Sequence, residues 1–349
     1  MSTHHRYRVV QWTTGKVGTL SLRGILDDPR LDLVGVYAHS ENKAGLDAGA
    51  LCGRPHTGIT ATREIDALLA CGADVVLYTP QMADLDDLTR LLENGLDVIS
   101  TNLLLNLGGV RGETEARLRR ACAKGRSSLH ISGVNPGWIN TMTAAMTAVC
   151  RDIRAVTISE SADVSVYESP ETWQAFGIGL PEPTPAVHDM ARMALVSFRD
   201  AVERLATSLH TTLDRTEFTI DYATAARTAD LGWLRIEKDT IAALRGGWTG
   251  TSPSGIVLRS EIAWHLTPHL NTDWQFLDDH YRVTIDGEPG IDTRVRFLPP
   301  DSWGNHEWDT MTAMPAVHAI PAVRAAPPGI LGLHDAGLTA APAGLWTHR

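Results

Sequence analysis

Between Arg6 and Ala148 short β-branched runs alternate with longer segments of helical period, and this alternation restricts the front of the chain to a parallel sheet covered by helices on both faces. Residues 7–11, 31–37, 74–78, 97–100 and 128–131 read as strands, and residues 17–26, 64–70, 84–93 and 112–123 as helices between them. Strands joined by helical crossovers lie parallel. Their near-continuous apolar character, as in Val75-Val76-Leu77-Tyr78, fits burial from both sides.

The pattern changes after Cys150. Residues 155–166 alternate like a half-exposed strand, 185–209 read as one long amphipathic helix, and 217–222, 256–266, 281–286 and 293–297 are strand-like. Strands without regular crossovers build an open, mainly antiparallel mixed sheet, and 349 residues suffice for two domains. The expected fold is α/β: a Rossmann-type doubly wound parallel sheet over residues 1–149, then a second α+β domain on an open mixed sheet over residues 150–310. An apolar helix over 311–326, stopped by Pro327-Pro328-Gly329, is expected to return to the first domain, and the Ala/Pro-rich tail 336–342 to be irregular.

Composition removes several function classes. The formal net charge of -10, with no run of Lys or Arg, argues against a nucleic-acid partner. Cys52, Cys71, Cys122 and Cys150 show no C-x-x-C spacing and read as reduced thiols. Residues 1–8 leave no room for a signal peptide's apolar region, and no stretch approaches the roughly 18 apolar residues of a membrane helix. The expectation is a cytoplasmic protein without a membrane partner. Ten Trp against five Phe supply rings for cores, interfaces or an apolar pocket.

A dinucleotide site needs a strand, a tight turn that lets the backbone approach a pyrophosphate, and a helix whose N-terminus faces the negative charge. Trp12-Thr13-Thr14-Gly15-Lys16-Val17-Gly18 sits where that turn belongs, with Gly15 and Gly18 as the second half of a G-x-x-G-x-x-G pattern and Trp12 in place of its first glycine. Thr14, Gly15, Lys16, Val17 and Gly18 are the first cofactor candidates. The end of the second strand separates the two nicotinamide cofactors, because an acid there bonds the ribose hydroxyls while basic and hydroxyl groups accept a 2′-phosphate. His39, Ser40 and Lys43 favour NADP (NADPH) over NAD. Glu41 opposes that reading, and a solvated loop is the alternative. Thr79 and Pro80 close the third strand, Thr101 the fourth, and Gly133-Val134-Asn135-Pro136-Gly137 follows the fifth, so Asn135 and Pro136 fall where a nicotinamide would lie. His318, on the last helix, reads as a packing residue with cofactor contact as its second role.

With these pieces placed, the chain resembles the reductases similar to 4-hydroxy-tetrahydrodipicolinate reductase, and within them the branch of 2,4-diaminopentanoate dehydrogenase and the native amine dehydrogenases. The residues that carry the resemblance are Val9 through Gly18, Asp74 through Pro80, Asp97-Val98-Ile99-Ser100-Thr101, Gly133 through Gly137, Ala316-Val317-His318-Ala319-Ile320-Pro321 and Ala326-Pro327-Pro328-Gly329, and they span nearly the whole chain. The resemblance implies a homodimeric NAD(P)-dependent oxidoreductase whose second domain roofs the nicotinamide and helps to pair subunits. Two departures matter. The dipicolinate reductases carry a His-His pair, then a Lys followed by Pro-Ser-Gly-Thr, after the strand that opens their second domain; here that stretch reads Glu160-Ser161-Ala162-Asp163-Val164-Ser165-Val166-Tyr167-Glu168. That argues against lysine biosynthesis. The amine dehydrogenases are expected to use a glutamate just after the fourth strand, where this chain has Asn102-Leu103-Leu104-Leu105-Asn106.

Hydride transfer asks mainly for geometry, since the cofactor carries the reaction. Reducing a carbonyl also requires a proton donor at the forming alkoxide, whereas an iminium already bears its charge, so a site without an evident acid fits imine chemistry better. The substrate expected is a small, largely apolar carbonyl or amine, with ammonia as co-substrate, under the Trp-containing sheet. The catalytic candidates are Asn102, Asn135, Glu160, Asp163 and Tyr167. Asn102 and Asn135 have helix capping and turn formation as alternatives, and the two acids the wet face of a strand. The pairs His306-Glu307 and His265 with His269 lack H-E-x-x-H spacing, so no metal is expected, and neither a G-x-S-x-G elbow nor a P-loop is present. A carbonyl reductase using Tyr167 or a buried acid, and a non-catalytic NADP-binding sensor, are the rival readings.

Overall fold

The computed structural model of the chain describes residues 6–101, 113–277, 280–333, 335 and 340–341. It divides into two compact units, residues 1–141 with 306–349 and residues 142–305. The boundary falls inside a helix, ahead of Cys150.

The first unit follows the expected alternation. Its elements are β1 (Tyr7–Trp12), α1 (Lys16–Asp27), β2 (Leu31–Tyr37), α2 (Ala48–Cys52), β3 (Ala61–Thr62), α3 (Ile65–Leu69), β4 (Val75–Tyr78), α4 (Leu85–Glu93), β5 (Asp97–Ser100), α5 (Glu113–Gly125), β6 (Ser128–Ile131) and α6 (Ile139–Met146), the last crossing the boundary. The second unit holds β7 (Ile153–Asp163), α7 (Pro170–Ala175), α8 (Pro185–Ala194), α9 (Val196–Ser208), β8 (Arg215–Thr224), β9 (Ala229–Asp230), β10 (Arg235–Ile236), β11 (Ile241–Thr251), β12 (Val257–His265), β13 (His280–Gly287) and β14 (Ile291–Arg296). The chain then returns to the first unit with α10 (Thr310–Ala325) and β15 (Gly329–Ile330).

The first sheet has strand order β15-β6-β5-β4-β1-β2-β3 and is parallel throughout. Its core splits by strand alternation. Val9, Val75, Leu77 and Ile99 face one cluster with α1 and α10, through Leu22, Ile25, Ala316, Val317 and Ile320. Val10, Trp12, Val76, Tyr78 and Val98 face the other, with Leu88, Leu91, Leu92 and Leu118 of α4 and α5. Helices on both faces make the doubly wound sheet, and the order 3-2-1-4-5-6 runs outward from the β1/β4 pair, where such sheets bind dinucleotides.

The second unit's sheet has order β14-β13-β7-β12-β11-β8, with β7 and β12 parallel and the remaining pairs antiparallel. β11 is missing from the sequence expectation because Gly246, Gly247 and Gly250 make residues 241–251 look like a loop. The glycines are required where the neighbouring strands close in: a Cβ on Gly246 would stand 2.2 Å from the Thr219 carbonyl, and one on Gly247 2.1 Å from that of Ser260. The single helix expected over 185–209 is two helices broken at Leu195, whose φ/ψ of -92/13 leaves the helix. The buried Trp248 indole donates to the Leu195 carbonyl at 2.8 Å, which gives the freed carbonyl a partner. Most of the expected irregular tail lies outside the described residues. Among the described residues no helix is long and apolar enough to cross a membrane, and no group of three His, Cys, Asp or Glu is placed to hold a metal ion.

Candidate functional site

The turn after β1 closes without its first glycine. Trp12 is 1% exposed and belongs to the core, its ring stacked on Tyr37 at 4.2 Å and 16°. Thr13 takes the left-handed conformation instead, at φ 70°. Polar contacts hold it there: Gln11 Nε2 donates to the Thr13 carbonyl and to Thr79 Oγ1, both at 2.9 Å, and Thr79 Oγ1 donates to the Trp12 carbonyl at 2.9 Å. The Thr79 hydroxyl is thus committed to supporting the turn.

Gly15 and Gly18 do different jobs. A Cβ on Gly18 would lie 2.4 Å from the Thr13 carbonyl oxygen, so this glycine lets α1 cross the turn closely. Among the described residues a Cβ on Gly15 meets nothing within 4 Å, which leaves the backbone at the head of α1 open. No side chain caps α1 and no acid lies in its first turn, so its N–H groups and dipole face that opening. The Thr14 hydroxyl is buried there with no hydrogen-bond partner among the described residues. Lys43 Nζ donates to the Thr14 carbonyl at 2.6 Å, so the loop after β2 brings an ammonium to the turn. Val17 is half-buried and Lys16 exposed, near Asp309 ahead of α10. Burial pushes the Asp309 carboxyl up, against the pull of Lys16 and His306. Open backbone, an orphaned hydroxyl and nearby cations fit an anionic pyrophosphate.

Past Tyr37, His39 and Ser40 are exposed. Glu41, which argued against NADP in the sequence, is paired with Arg63 at 2.6 Å. Arg63 is a candidate missing from the sequence reading, because β3, which brings it beside this loop, is two residues long and carries no periodic signal. At the ends of the next strands, Pro80 and Thr101 are half-buried, with the Thr101 amide bonded to the Tyr78 carbonyl. Asn102 lies outside the described residues. After β6 the chain turns through Gly133 at φ 138°, half-buried Asn135, buried Pro136 and Gly137 at φ 149°. Asn140, also absent from the sequence candidates, ties this turn by accepting the Gly137 amide on Oδ1 at 2.7 Å.

His318 lies on α10, away from the glycine turn. It interacts with Asp28, and Asp28 caps the C-terminal end of α1. With 12 residues, α1 is about 18 Å long, so His318 sits at the far end of the helix from the glycine turn. Burial pulls the imidazole below its ordinary range, against the opposing Asp28 carboxylate. That placement favours the packing role over a cofactor contact.

In the second unit, Glu160 lies in phase with Val156 and Ile158 on β7, and so on the apolar face rather than the wet one. Trp264 Nε1 donates to its Oε1 at 2.9 Å, and the Tyr281 hydroxyl to its Oε2 at 2.8 Å. Tyr281 is its direct cross-strand neighbour on β13. The Trp264 ring meets Trp173, Phe176 and Phe198 at 6.1–6.2 Å, so the acid borders an aromatic cluster. Asp163 is out of phase with Glu160, and its Oδ1 accepts the Ser165 amide at 3.0 Å in a local turn. Tyr167 is 42% exposed, its ring edge-on to Trp173. Glu160 and Tyr167 thus border the same aromatic cluster, while Asp163 accepts a bond in a local turn.

No family model matches the sequence. A curated amine dehydrogenase from Streptomyces virginiae is 28% identical over 304 residues, covering 82% of this chain and 84% of its own. The solved amine dehydrogenase from Mycobacterium smegmatis superposes with a TM-score of 0.77 at 19% identity, over 97% of this chain and 99% of that one. GenD2 from gentamicin A biosynthesis, solved in complex with NAD, gives 0.55 at 17% identity over 95% and 90%, and a putative myo-inositol dehydrogenase from Sinorhizobium meliloti 1021 gives 0.55 at 16% over 91% and 88%. At such identities the solved structures establish the fold, which is that of NAD(P)-binding dehydrogenases.

Proposed function

We propose that this chain is an NAD(P)-dependent oxidoreductase of the amine dehydrogenase type, interconverting a small, largely apolar amine with its imine and carbonyl, with ammonia as the second product or reactant. The observation that carries the reading is the Glu160 carboxylate, held by the Trp264 and Tyr281 donors on an apolar sheet face. The similarity to the Streptomyces virginiae amine dehydrogenase supports it. The cofactor, when bound, supplies the hydride chemistry. In the proposal, Gly15, Lys16 and Thr14 bind its pyrophosphate, and the turn 133–137, with Asn135, holds its nicotinamide end. Glu160 takes a proton from the substrate ammonium and releases it to solvent, so that its carboxylate stabilises the iminium that forms as the C–H bond breaks; it then accepts a proton from the attacking water and passes it to the amino group, which leaves as ammonia while the hydroxyl proton goes to solvent. Tyr167 is exposed, so the rival carbonyl reductase reading rests on its other donor, a buried acid. A cytoplasmic homodimer completes the proposal, on the resemblance of the sequence.

NADP is the preferred cofactor in this account because Lys43 stands at the turn and Arg63 offsets Glu41. The double variant Lys43→Ala, Arg63→Ala is expected to lose at least about tenfold more affinity for NADPH than for NADH, from the loss of charge-assisted hydrogen bonds to the 2′-phosphate, since the Lys43 charge near the pyrophosphate is lost to both cofactors. Titration calorimetry reads both. Equal losses, or a parent that prefers NADH, contradict the NADP assignment.

The reaction itself is tested in the oxidative direction. NADP+ and a panel of primary amines are expected to yield reduced nicotinamide, with equimolar ammonia and carbonyl product. Turnover of the matching alcohols but not of the amines would overturn the reading.

A further inference from the structure

Asn140 opens α6 just past the turn 133–137, and its side chain is 1% exposed. The Gly137 N–H donates to one end of its amide at 2.7 Å. A backbone N–H can only donate, so that end is the oxygen, and the other end is the Nδ2 amino group. Among the described residues Nδ2 has no hydrogen-bond acceptor. A buried amino group without an acceptor carries its full desolvation penalty, which an apolar side chain of similar size would avoid. The residue therefore combines one satisfied structural bond with one unused donor.

The neighbourhood says which acceptor suits it. The turn follows the carboxyl end of β6, where open parallel sheets bind ligands. Gly133 and Gly137 both take left-handed φ, and a Cβ on Gly137 would stand 3.2 Å from the Ser132 carbonyl carbon, so the backbone is drawn in tightly. A planar ligand group bearing a carbonyl oxygen meets the need, and the primary carboxamide of a nicotinamide is such a group.

We infer that Asn140 is a positioning residue for the nicotinamide: Oδ1 fixes the turn through Gly137, and Nδ2 donates to the carboxamide oxygen, orienting the ring. The inference rests on the cofactor site proposed above and adds a residue to it. It involves no group on the substrate, so it is independent of the amine chemistry.

The test compares two ligands by titration calorimetry: NADPH, and 2′-phospho-ADP-ribose, which keeps the phosphates and lacks the nicotinamide. Asn140→Asp retains the acceptor for Gly137 and replaces the donor. Its added charge acts on the phosphates of both ligands and cancels in the ratio of their affinities. NADPH is expected to bind this variant at least about tenfold more weakly relative to the fragment than it binds the parent, since one buried donor is lost. An unchanged ratio overturns the proposal, because it makes Asn140 a structural residue or the holder of a buried water. A second measurement needs no variant: the parent is expected to bind NADPH severalfold more tightly than its thionicotinamide analogue, whose sulfur is a weaker acceptor, and equal affinities count against the proposal. Failure of the parent to bind either ligand would sink the cofactor reading itself, a result distinct from an unchanged ratio.

Discussion

Glu160→Gln is expected to lower amine oxidation by about 10²–10⁴-fold, the range typical of a lost general base, while leaving NADPH affinity within about twofold. Glutamine matches the shape of the side chain and can still accept one hydrogen bond, so the fold has little to lose. The missing part is the charge that takes the ammonium proton and faces the iminium. Tyr281→Phe removes one of the two donors that hold the carboxylate and is expected to cost about tenfold, as for a hydrogen bond to a charged group. Steady-state kinetics with one saturating amine read both variants. Parental turnover in Glu160→Gln would remove Glu160 from the chemistry and leave the aromatic face as simple core.

The two glycines of the turn should fail in different ways. Gly18→Ala drives a Cβ to 2.4 Å from the Thr13 carbonyl oxygen and 2.7 Å from Thr79 Oγ1. The turn must then shift, at a cost of about 1–3 kcal/mol in unfolding free energy as for other overpacked sites, and cofactor binding should fall with it. Among the described residues Gly15→Ala meets no atom within 4 Å, and the φ of -72° at this position suits any residue. Its expected result is parental stability with at least tenfold weaker NADPH binding, roughly 1.4 kcal/mol or more, because the methyl group occupies the opening assigned to the pyrophosphate. Chemical denaturation paired with calorimetry separates the two effects. Undiminished cofactor binding by Gly15→Ala would show that the opening is not the phosphate site.

The parallel sheet was legible because a strand covered on both faces leaves no polar gaps, and all four residues of Val75–Tyr78 are buried. β11 was hidden for the opposite reason, since its glycines answer to the Thr219 and Ser260 carbonyls, which are distant in the chain. The break at Leu195 depends on Trp248, 53 residues on, and could not be read locally. The glycine turn was half legible. Gly15 and Gly18 were visible, but the left-handed residue is Thr13, and its support comes from Gln11 and Thr79. For Glu160 a signal existed in its phase with Val156 and Ile158, which outweighs the general tendency of strand acids to face water. Its donors lie 104 and 121 residues away, beyond any local pattern. The position of His318 follows from how α10 lies along α1, which periodicity does not specify.

Amine dependence is read from NADPH consumption with a panel of aldehydes and cyclic ketones, each run with and without ammonia or methylamine. Loss of the reduced-nicotinamide absorbance is expected when carbonyl compound and amine are both present, with the amine as product. Equal consumption without any amine would contradict it and make the protein a carbonyl reductase. No consumption under any condition, with NADPH still bound, would contradict it as well and leave a cofactor-binding sensor.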